Sequence, residues 1–177
     1  KHRRRQRQMC IRDSIGAGSN LLVRDGGIDG VVIRLSGAMA KIHLQGNELY
    51  AGAGCSDGSV ARYAAREGRS GVEFLIGIPG TIGGGLRMNA GCYGYEFKDV
   101  VVRATAVTRT GDLVTATPDE MGMAYRHSNA PQDWIFVSAQ LATHKDDKLT
   151  IRSTMKDMIT SRGAAQPVGS RTGGSTF

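Results

Sequence analysis

The sequence predicts an α+β fold built mostly from antiparallel sheet. Three observations favour this class. Strand-like runs outnumber helix-like runs, neighbouring strands are mostly joined by tight turns, and no regular alternation of strand and helix marks a doubly wound sheet. Hydrophobic residues make up 40% of the 177 residues, so we expect a packed core rather than a disordered chain. No apolar run reaches the roughly 18 residues of a membrane span.

The first half of the chain is predicted to contain a strand, a hairpin and a helix. The predicted elements are a strand at 31–35, hairpin strands at 41–44 and 48–53, and a helix at 59–67. The hairpin follows from the turn signal Gly46-Asn47 between two strand-like runs. In the helix, Ser56 or Asp57 can act as the N-cap, and Gly68 fits the position just after the last turn.

The second half begins with a long segment, residues 71–96, that has no clear periodicity and is predicted to be a glycine-rich loop. The elements predicted after it are a hairpin of 100–107 with 112–116, a short helix at 118–123, a strand at 134–142 and a helix at 149–161. The remainder of the chain is predicted to be loop.

Positive charge is concentrated at the start of the chain. Residues 1–14 hold six basic side chains and Asp13, a net charge of +5, so the other 163 residues carry only +2 of the total +7. We interpret residues 1–14 as a solvated, non-native-looking tail; the alternative is a nucleic-acid-binding arm, which the near-neutral remainder disfavours. The three cysteines form no Cys-x-x-Cys pair and fit a reducing cytoplasm.

Two glycine-rich segments are candidates for ligand binding. Residues 16–20 (GAGSN) form either an ordinary turn or a backbone nest for a phosphate, since the third glycine and the helix of the dinucleotide fingerprint are missing. Residues 76–91 (IGIPGTIGGGLRMNAG) are either a surface loop or a loop around a flat, phosphate-bearing cofactor, for which Ile78 and Pro79 would supply an apolar platform.

Two polar motifs remain. Arg126, in Tyr125-Arg126-His127-Ser128, can bind a carboxylate or phosphate in bidentate fashion, or it is a solvated surface group. Ser175 lies on a glycine loop, GGSTF, and no Asp and His order supports a catalytic triad with it. The four histidines are scattered, which gives no support for a metal site.

These segments together resemble the family of UDP-N-acetylenolpyruvoylglucosamine reductases. The blocks GAGSNLLVRDGGIDGVVIRL, GVEFLIGIPGTIGGGLRMNAGCYGYE, YRHS and GSTF occur in the order and spacing of that family, in its type II form. The resemblance covers about residues 15–177. It implies a vanillyl-alcohol-oxidase (PCMH) type FAD-binding domain with two lobes, of which the first is incomplete here.

The resemblance also implies an activity: reduction of UDP-N-acetylglucosamine enolpyruvate to UDP-N-acetylmuramate, with FAD as cofactor and NADPH as electron donor, during peptidoglycan precursor synthesis. By motif, Ser175 matches the proton-donating serine, Arg126 the arginine that stabilises the intermediate, and Tyr125 a substrate-site residue. The cofactor-binding residues implied in this way are Gly16, Gly18, Ser19, Asn20, Leu21, Ile78, Pro79, Gly80, Gly83, Gly84, Asn89, Ala90 and Gly91.

The resemblance divides the chain into the tail (1–14), the FAD-binding domain (15–147) and a connecting helix with the start of a substrate-binding domain (148–177). The family's catalytic glutamate would lie beyond Phe177, so we expect an incomplete fragment that need not be active by itself. We expect a cytoplasmic protein, monomeric when full length, that binds neither nucleic acid nor membrane. Another FAD-dependent oxidoreductase of the same fold is the alternative.

Overall fold

The computed structural model describes residues 12–165. The strands are β1 (Arg12–Ile15), β2 (Val31–Arg34), β3 (Ile42–Gln45), β4 (Glu48–Gly52), β5 (Arg69–Ser70), β6 (Gly91–Cys92), β7 (Tyr95–Glu96), β8 (Val101–Val107), β9 (Leu113–Ala116), β10 (Ile135–Ala142) and β11 (His144–Lys145). The α-helices are α1 (Asp57–Arg66), α2 (Ile82–Met88), α3 (Phe97–Val100) and α4 (Lys148–Ala165), and short 3-10 helices cover Gly37–Ala40 and Glu73–Gly77.

A five-stranded antiparallel sheet, in the order β3-β4-β10-β8-β9, is the centre of the fold. The strands β4 and β10 contact α2, whereas α1 and α4 pack on the 3-10 helix at Glu73–Gly77, and the buried residues of all these elements, such as Leu49, Leu141 and Phe74, form one apolar core. The predicted α+β class with mostly antiparallel sheet is confirmed.

The N-terminal segment forms a second, two-stranded sheet in which β1 and β2 pair in parallel. The strand β1 begins at Arg12, three residues before the boundary that the sequence analysis set between the tail and the folded domain. Between the two strands, residues 16–30 form bends and turns whose side chains are mostly exposed. The charged end of the tail, residues 1–11, lies outside the described residues.

The predicted hairpins form, and α1 has the predicted caps. Its N-cap is Ser56, whose hydroxyl accepts a hydrogen bond from the Ser59 N–H at 3.3 Å, and Gly68 follows the helix with a φ of +66°. Gly46 has a φ of +64° in the turn between β3 and β4, as a glycine permits.

Two predicted elements are wrong. The segment 71–96, predicted to be one loop, contains α2, because the first N–H groups of that helix find carbonyl partners outside it: Ile82 N–H donates to Cys55 O at 3.0 Å and Gly83 N–H to Ala53 O at 2.9 Å. The predicted helix at 118–123 is a series of turns that ends at Gly122, whose φ is +53°.

The long helix α4 packs on the same core as the sheet. Ile151 and Met155 are buried, and the Tyr93 hydroxyl donates to Met158 O at 2.7 Å. None of the helices in the described part of the chain combines the length and the apolar character that a membrane crossing requires.

Candidate cofactor and substrate site

The two glycine-rich segments meet at Gly16 and Thr81. A Cβ atom built on Gly16 would overlap the Thr81 side-chain oxygen, so the Gly16 backbone lies directly against the Thr81 side chain. Thr81 is also the residue immediately before α2, and it pairs with Ser56 in an isolated bridge. The first segment therefore lies beside the start of α2.

The first turn of α2 lies closely against the end of β4. A Cβ on Gly83 would come within 3.1 Å of Ala53 Cβ, and Gly85 leaves no room for a methyl group against the Phe97 ring. Gly84, between them, is exposed, and a Cβ there would make only an ordinary contact with Thr81 Oγ1 at 3.6 Å. Two of the three consecutive glycines are thus needed for packing, whereas the third presents its backbone to the outside.

Asp57 lies directly beneath this segment. Its carboxyl group is fully buried and has no hydrogen-bond partner among residues 12–165, and Oδ2 lies 2.8 Å from the position that a Gly80 Cβ would occupy. Burial raises the pKa of Asp57 to about 8, because a charged carboxylate is poorly solvated there. Sequence reasoning gave Asp57 only a possible capping role and missed this placement, for which the local sequence carries no signal.

The Tyr125-Arg126 motif forms a two-residue turn. Ala124 and His127 exchange backbone hydrogen bonds of 3.0 Å in both directions, and Arg126 has a φ of +53°, which is unusual for a residue with a side chain. Tyr125 is 78% exposed, and the Arg126 guanidinium carbon lies 5.8 Å from the centre of its ring.

A cavity of about 500 Å³ joins this turn to the end of the second glycine segment. Gly91, Tyr125 and Arg126, all predicted site residues, line it together. Among the remaining lining residues are Tyr93, Tyr95, Glu96 and Lys98, which sequence reasoning missed. The tyrosines and charged residues that follow residue 91 were visible in the sequence. Their spacing, however, gave no indication that they line a cavity with residues thirty positions later.

The charges in the cavity leave the arginine available for an anion. Lys98 Nζ donates to Glu96 Oε2 at 2.7 Å in an ion pair. This hydrogen bond, together with the one from Asn89 and the charge of Arg126, lowers the pKa of Glu96. Within the described ranges, Arg126 forms no ion pair shorter than 4 Å. Its guanidinium can therefore bind a carboxylate or phosphate from outside.

A second arginine holds the loop that follows the turn. Arg87, in the last turn of α2, donates to the carbonyl oxygens of Ala130 at 2.8 Å, Pro131 at 3.0 Å and Trp134 at 2.7 Å. Its guanidinium carbon lies 5.1 Å from the centre of the Phe136 ring. The loop from the turn to β10 is thus tied to the helix of the second glycine segment.

Other predicted site residues are placed as follows. Gly18, Ser19, Asn20 and Leu21 are exposed on the first segment, Ile78, Gly80 and Ala90 are partly buried on the second, Pro79 is exposed, and Asn89 is buried. Ser175 lies outside the described residues, so its place relative to Arg126 stays a prediction.

Comparison with known proteins identifies a family. Residues 9–117, more than half of the chain, match the FAD binding domain family. The chain belongs to this family. The match spans both glycine segments, Asp57, the part of the cavity wall that precedes β8, and the strands β8 and β9. The FAD-binding type of fold is therefore confirmed.

Curated relatives show which members of this family the chain resembles. The UDP-N-acetylenolpyruvoylglucosamine reductases of Maricaulis maris and of Paramagnetospirillum magneticum are each 52% identical to the chain, over 92% of its length and 52% and 53% of theirs. The chain thus spans about half the length of the relatives it matches. The resemblance found in the sequence is confirmed.

Solved structures agree. The crystal structure of the reductase from Thermus caldophilus superposes with a TM-score of 0.83 at 32% identity, covering 96% of this chain and 62% of that one. An alkyldihydroxyacetonephosphate synthase, at 19% identity and a TM-score of 0.56, shares the fold.

Proposed function

We propose that the chain serves the NADPH-dependent reduction of UDP-N-acetylglucosamine enolpyruvate to UDP-N-acetylmuramate, with FAD as cofactor, in the cytoplasmic synthesis of peptidoglycan precursors. The observation that carries this proposal is the cavity in which Gly91 meets Tyr125 and Arg126. Reduction of an anionic enolpyruvyl group needs a flavin and an anion-binding guanidinium side by side, and in this cavity Gly91, from the segment predicted to bind the cofactor, lies beside Arg126. The likeness to reductases that are named for this substrate supports the choice.

The residues present fit a flavin nucleotide. Gly16 and Thr81 bring the two glycine segments together at a point where a Cβ would separate them, and Gly84 is exposed beside them. Such a backbone can approach a pyrophosphate and a ring system closely. We assign cofactor binding to the residues of 16–21 and 78–91 that the sequence predicts, with Asn89 contributing only its backbone. The chemistry that FAD would supply when bound is hydride transfer, which brings two electrons and one hydrogen from NADPH to one carbon of the enolpyruvyl double bond.

The chain's own side chains would hold the substrate and manage its charge. Arg126 would bind the enolpyruvyl carboxylate and stabilise the negative charge that develops on the adjoining carbon. Tyr125, in the same turn, would contact the substrate from the side of the cavity mouth. The Ser175 hydroxyl would donate the proton that this carbon takes up, at a value of roughly 10²–10⁴-fold in rate.

The paired carboxylate Glu96 leaves this arrangement intact. Because the short ion pair of Glu96 is made with Lys98, the Arg126 guanidinium remains available to bind the substrate. The proposed reaction needs neither nucleic acid nor a membrane, and we expect the full-length protein to be a monomer.

The test begins with a titration of FAD into the purified 177-residue chain, followed by flavin fluorescence and absorption. We expect saturable quenching and a shifted absorption band. UDP-N-acetylglucosamine enolpyruvate is then added to the FAD-loaded chain, and we expect a further change in the flavin band. A chain that binds no FAD would contradict the proposal. A chain that binds FAD but responds to no enolpyruvyl substrate would favour another oxidoreductase of the same fold.

The role of Arg126 is tested by Arg126→Ala, with Arg66→Ala as the control because Arg66 is exposed on α1, where it contacts Glu67 and the Tyr63 ring. We expect both variants to bind FAD like the unchanged chain. The response to the enolpyruvyl substrate should weaken by about tenfold or more in Arg126→Ala alone, the value of a charge-assisted contact of roughly 1.5–3 kcal/mol. An equal response in both variants would remove Arg126 from the substrate site.

A further inference from the structure

Asn89 occupies an unusual position at the end of α2. It is fully buried, it has a left-handed backbone with a φ of +41°, and it belongs to the segment predicted to bind the cofactor. Its side chain, however, faces the protein. Nδ2 lies 2.8 Å from Ala124 O and 3.1 Å from Glu96 Oε2, and Oδ1 accepts a hydrogen bond from the Lys98 N–H at 2.9 Å.

This orientation of the amide is fixed by its partners. A carbonyl oxygen and an ionised carboxylate only accept hydrogen bonds, and a backbone N–H only donates, so the reverse orientation would lose all three contacts. Both amide hydrogens are therefore used within the protein. The side chain has no hydrogen left to donate to a ligand, and any contact of Asn89 with a cofactor would be made through its backbone.

One of these partners is the residue that opens the Tyr125-Arg126 turn. Ala124 O accepts the closing hydrogen bond from the His127 N–H at 3.0 Å in addition to the bond from Asn89. Arg126, inside the turn, has a left-handed φ of +53°, a conformation that costs a residue with a side chain free energy and persists only where its surroundings support it. The bond from Asn89 is such a support, and it comes from the cofactor segment.

We propose that Asn89 is a positioning residue: its amide holds the turn, and with it the Arg126 guanidinium, at a fixed distance from the cofactor segment. Asn89 would act on the substrate only through Arg126. This inference rests on the proposed function for the identity of the substrate, but the link between Asn89 and the turn is independent of any ligand.

The test replaces the Nδ2 donor of Asn89 and keeps the shape of the side chain and its Oδ1 acceptor. Asn89→Asp has nearly the same shape, tolerates a left-handed backbone and keeps the acceptor for Lys98 N–H, but it presents oxygen to Ala124 O and to Glu96. Asn89→Gly removes all three contacts and relieves the backbone. The matched control is Asn47→Asp, the same substitution in the β3-β4 turn, where the side-chain oxygen accepts from Arg69 at 3.2 Å and is retained.

Three readouts separate the possible roles. Hydrogen exchange of the Ala124 and His127 amides, followed by NMR, reports on the turn and needs no ligand. The FAD titration reports on the cofactor segment, and the flavin response to the enolpyruvyl substrate reports on Arg126. In Asn89→Asp and Asn89→Gly we expect turn exchange to be at least about tenfold faster, FAD affinity to stay within about threefold, and substrate affinity to fall about tenfold. Asn47→Asp should match the unchanged chain in all three.

Each other outcome overturns the inference. Unchanged exchange at the turn would show that Asn89 does not hold it. Loss of FAD affinity with an unchanged turn would make Asn89 a cofactor contact, as the sequence predicts. Unfolding of both variants, seen as loss of circular dichroism, would give Asn89 a structural role only. If the unchanged chain binds neither FAD nor substrate, the proposed function fails, while the exchange measurement still decides whether Asn89 positions the turn.

Discussion

The two glycine segments of the site are rich in glycine for different physical reasons. In the first, residues 16–20, the backbone is mostly exposed, and Gly16 is the glycine whose missing Cβ permits a close approach, to Thr81. In the second, Gly83 and Gly85 are packed against Ala53 and the Phe97 ring of the core. In the second segment glycine is required for packing against the core, so substitutions there should lower stability. In the first segment glycine keeps the backbone accessible to a ligand, so substitutions there should weaken binding.

The largest effect is expected for Gly85→Ala. A methyl group there would overlap the Phe97 ring in a core where Phe97 is fully buried, and we expect a loss of about 3 kcal/mol in the free energy of unfolding. Gly84→Ala, one position earlier, is the control. It adds the same methyl group to an exposed helical site and should gain up to about 1 kcal/mol. Urea unfolding of both chains measures the difference, and equal midpoints would mean that α2 does not pack as described.

The next effect concerns Asp57, beneath the second segment. Because its pKa is about 8 in the folded chain and lower in the unfolded chain, the folded state holds a proton that the unfolded state releases. The contribution of Asp57 to stability is therefore fully present below the unfolded pKa and is lost as pH rises through about 8. We expect stability to fall by about 1.4 kcal/mol per pH unit between pH 5 and pH 7.

Asp57→Asn should remove most of this slope, measured by urea unfolding at a series of pH values. The exposed Asp119→Asn is the control and should keep the slope of the unchanged chain. An unchanged slope in Asp57→Asn would mean that another group carries the pH dependence.

A smaller effect, on binding rather than on folding, is expected for Gly16→Ala. The added methyl group would push the first segment away from Thr81, so FAD affinity should weaken by about tenfold while the free energy of unfolding changes by less than about 1 kcal/mol. Gly26→Ala lies in the same N-terminal region, where a Cβ would meet nothing within 4 Å, and should leave FAD affinity unchanged. Equal affinities in the two variants would separate the Gly16 contact from cofactor binding.

The smallest effect is expected for Leu22→Ser. Leu22 is 92% exposed next to the first segment, and its replacement should change stability by less than about 0.5 kcal/mol. Leu113→Ser, at a 71% exposed position of β9 in the main sheet, is the matched control. Thermal unfolding that drops only for Leu22→Ser would show that this residue is covered, and it would weaken the contrast between the two regions.

The parts of the fold that local signals determine were predictable. Turn residues between alternating runs predicted the hairpins, and a serine cap with a trailing glycine predicted α1, because those signals act within a few residues. The helix α2 was not predictable in this way. Three consecutive glycines have low helix propensity, and the helix forms there because its first N–H groups find carbonyls at Ala53 and Cys55.

The site divides in the same way. Glycine segments and a Tyr-Arg pair are visible as motifs, so Gly16, Gly91 and Arg126 could be proposed from the sequence. Burial and long-range contacts cannot be read from local sequence. For this reason Asp57 was predicted only as a possible N-cap, and Lys98 and Glu96 were missed. Their proximity to Arg126 arises from a turn almost thirty residues further along the chain.

The arginine clamp that ties the loop after the turn to α2 has a practical consequence. One of the three carbonyls that Arg87 holds belongs to Trp134, and the sequence contains a single tryptophan. Indole emission overlaps flavin absorption, so a bound FAD would quench the fluorescence of this tryptophan by energy transfer. Loss of the Arg87 hydrogen bonds would shift the wavelength of its emission maximum. The native chain therefore carries its own optical reporter, at the loop that leads away from Arg126, and needs no added dye.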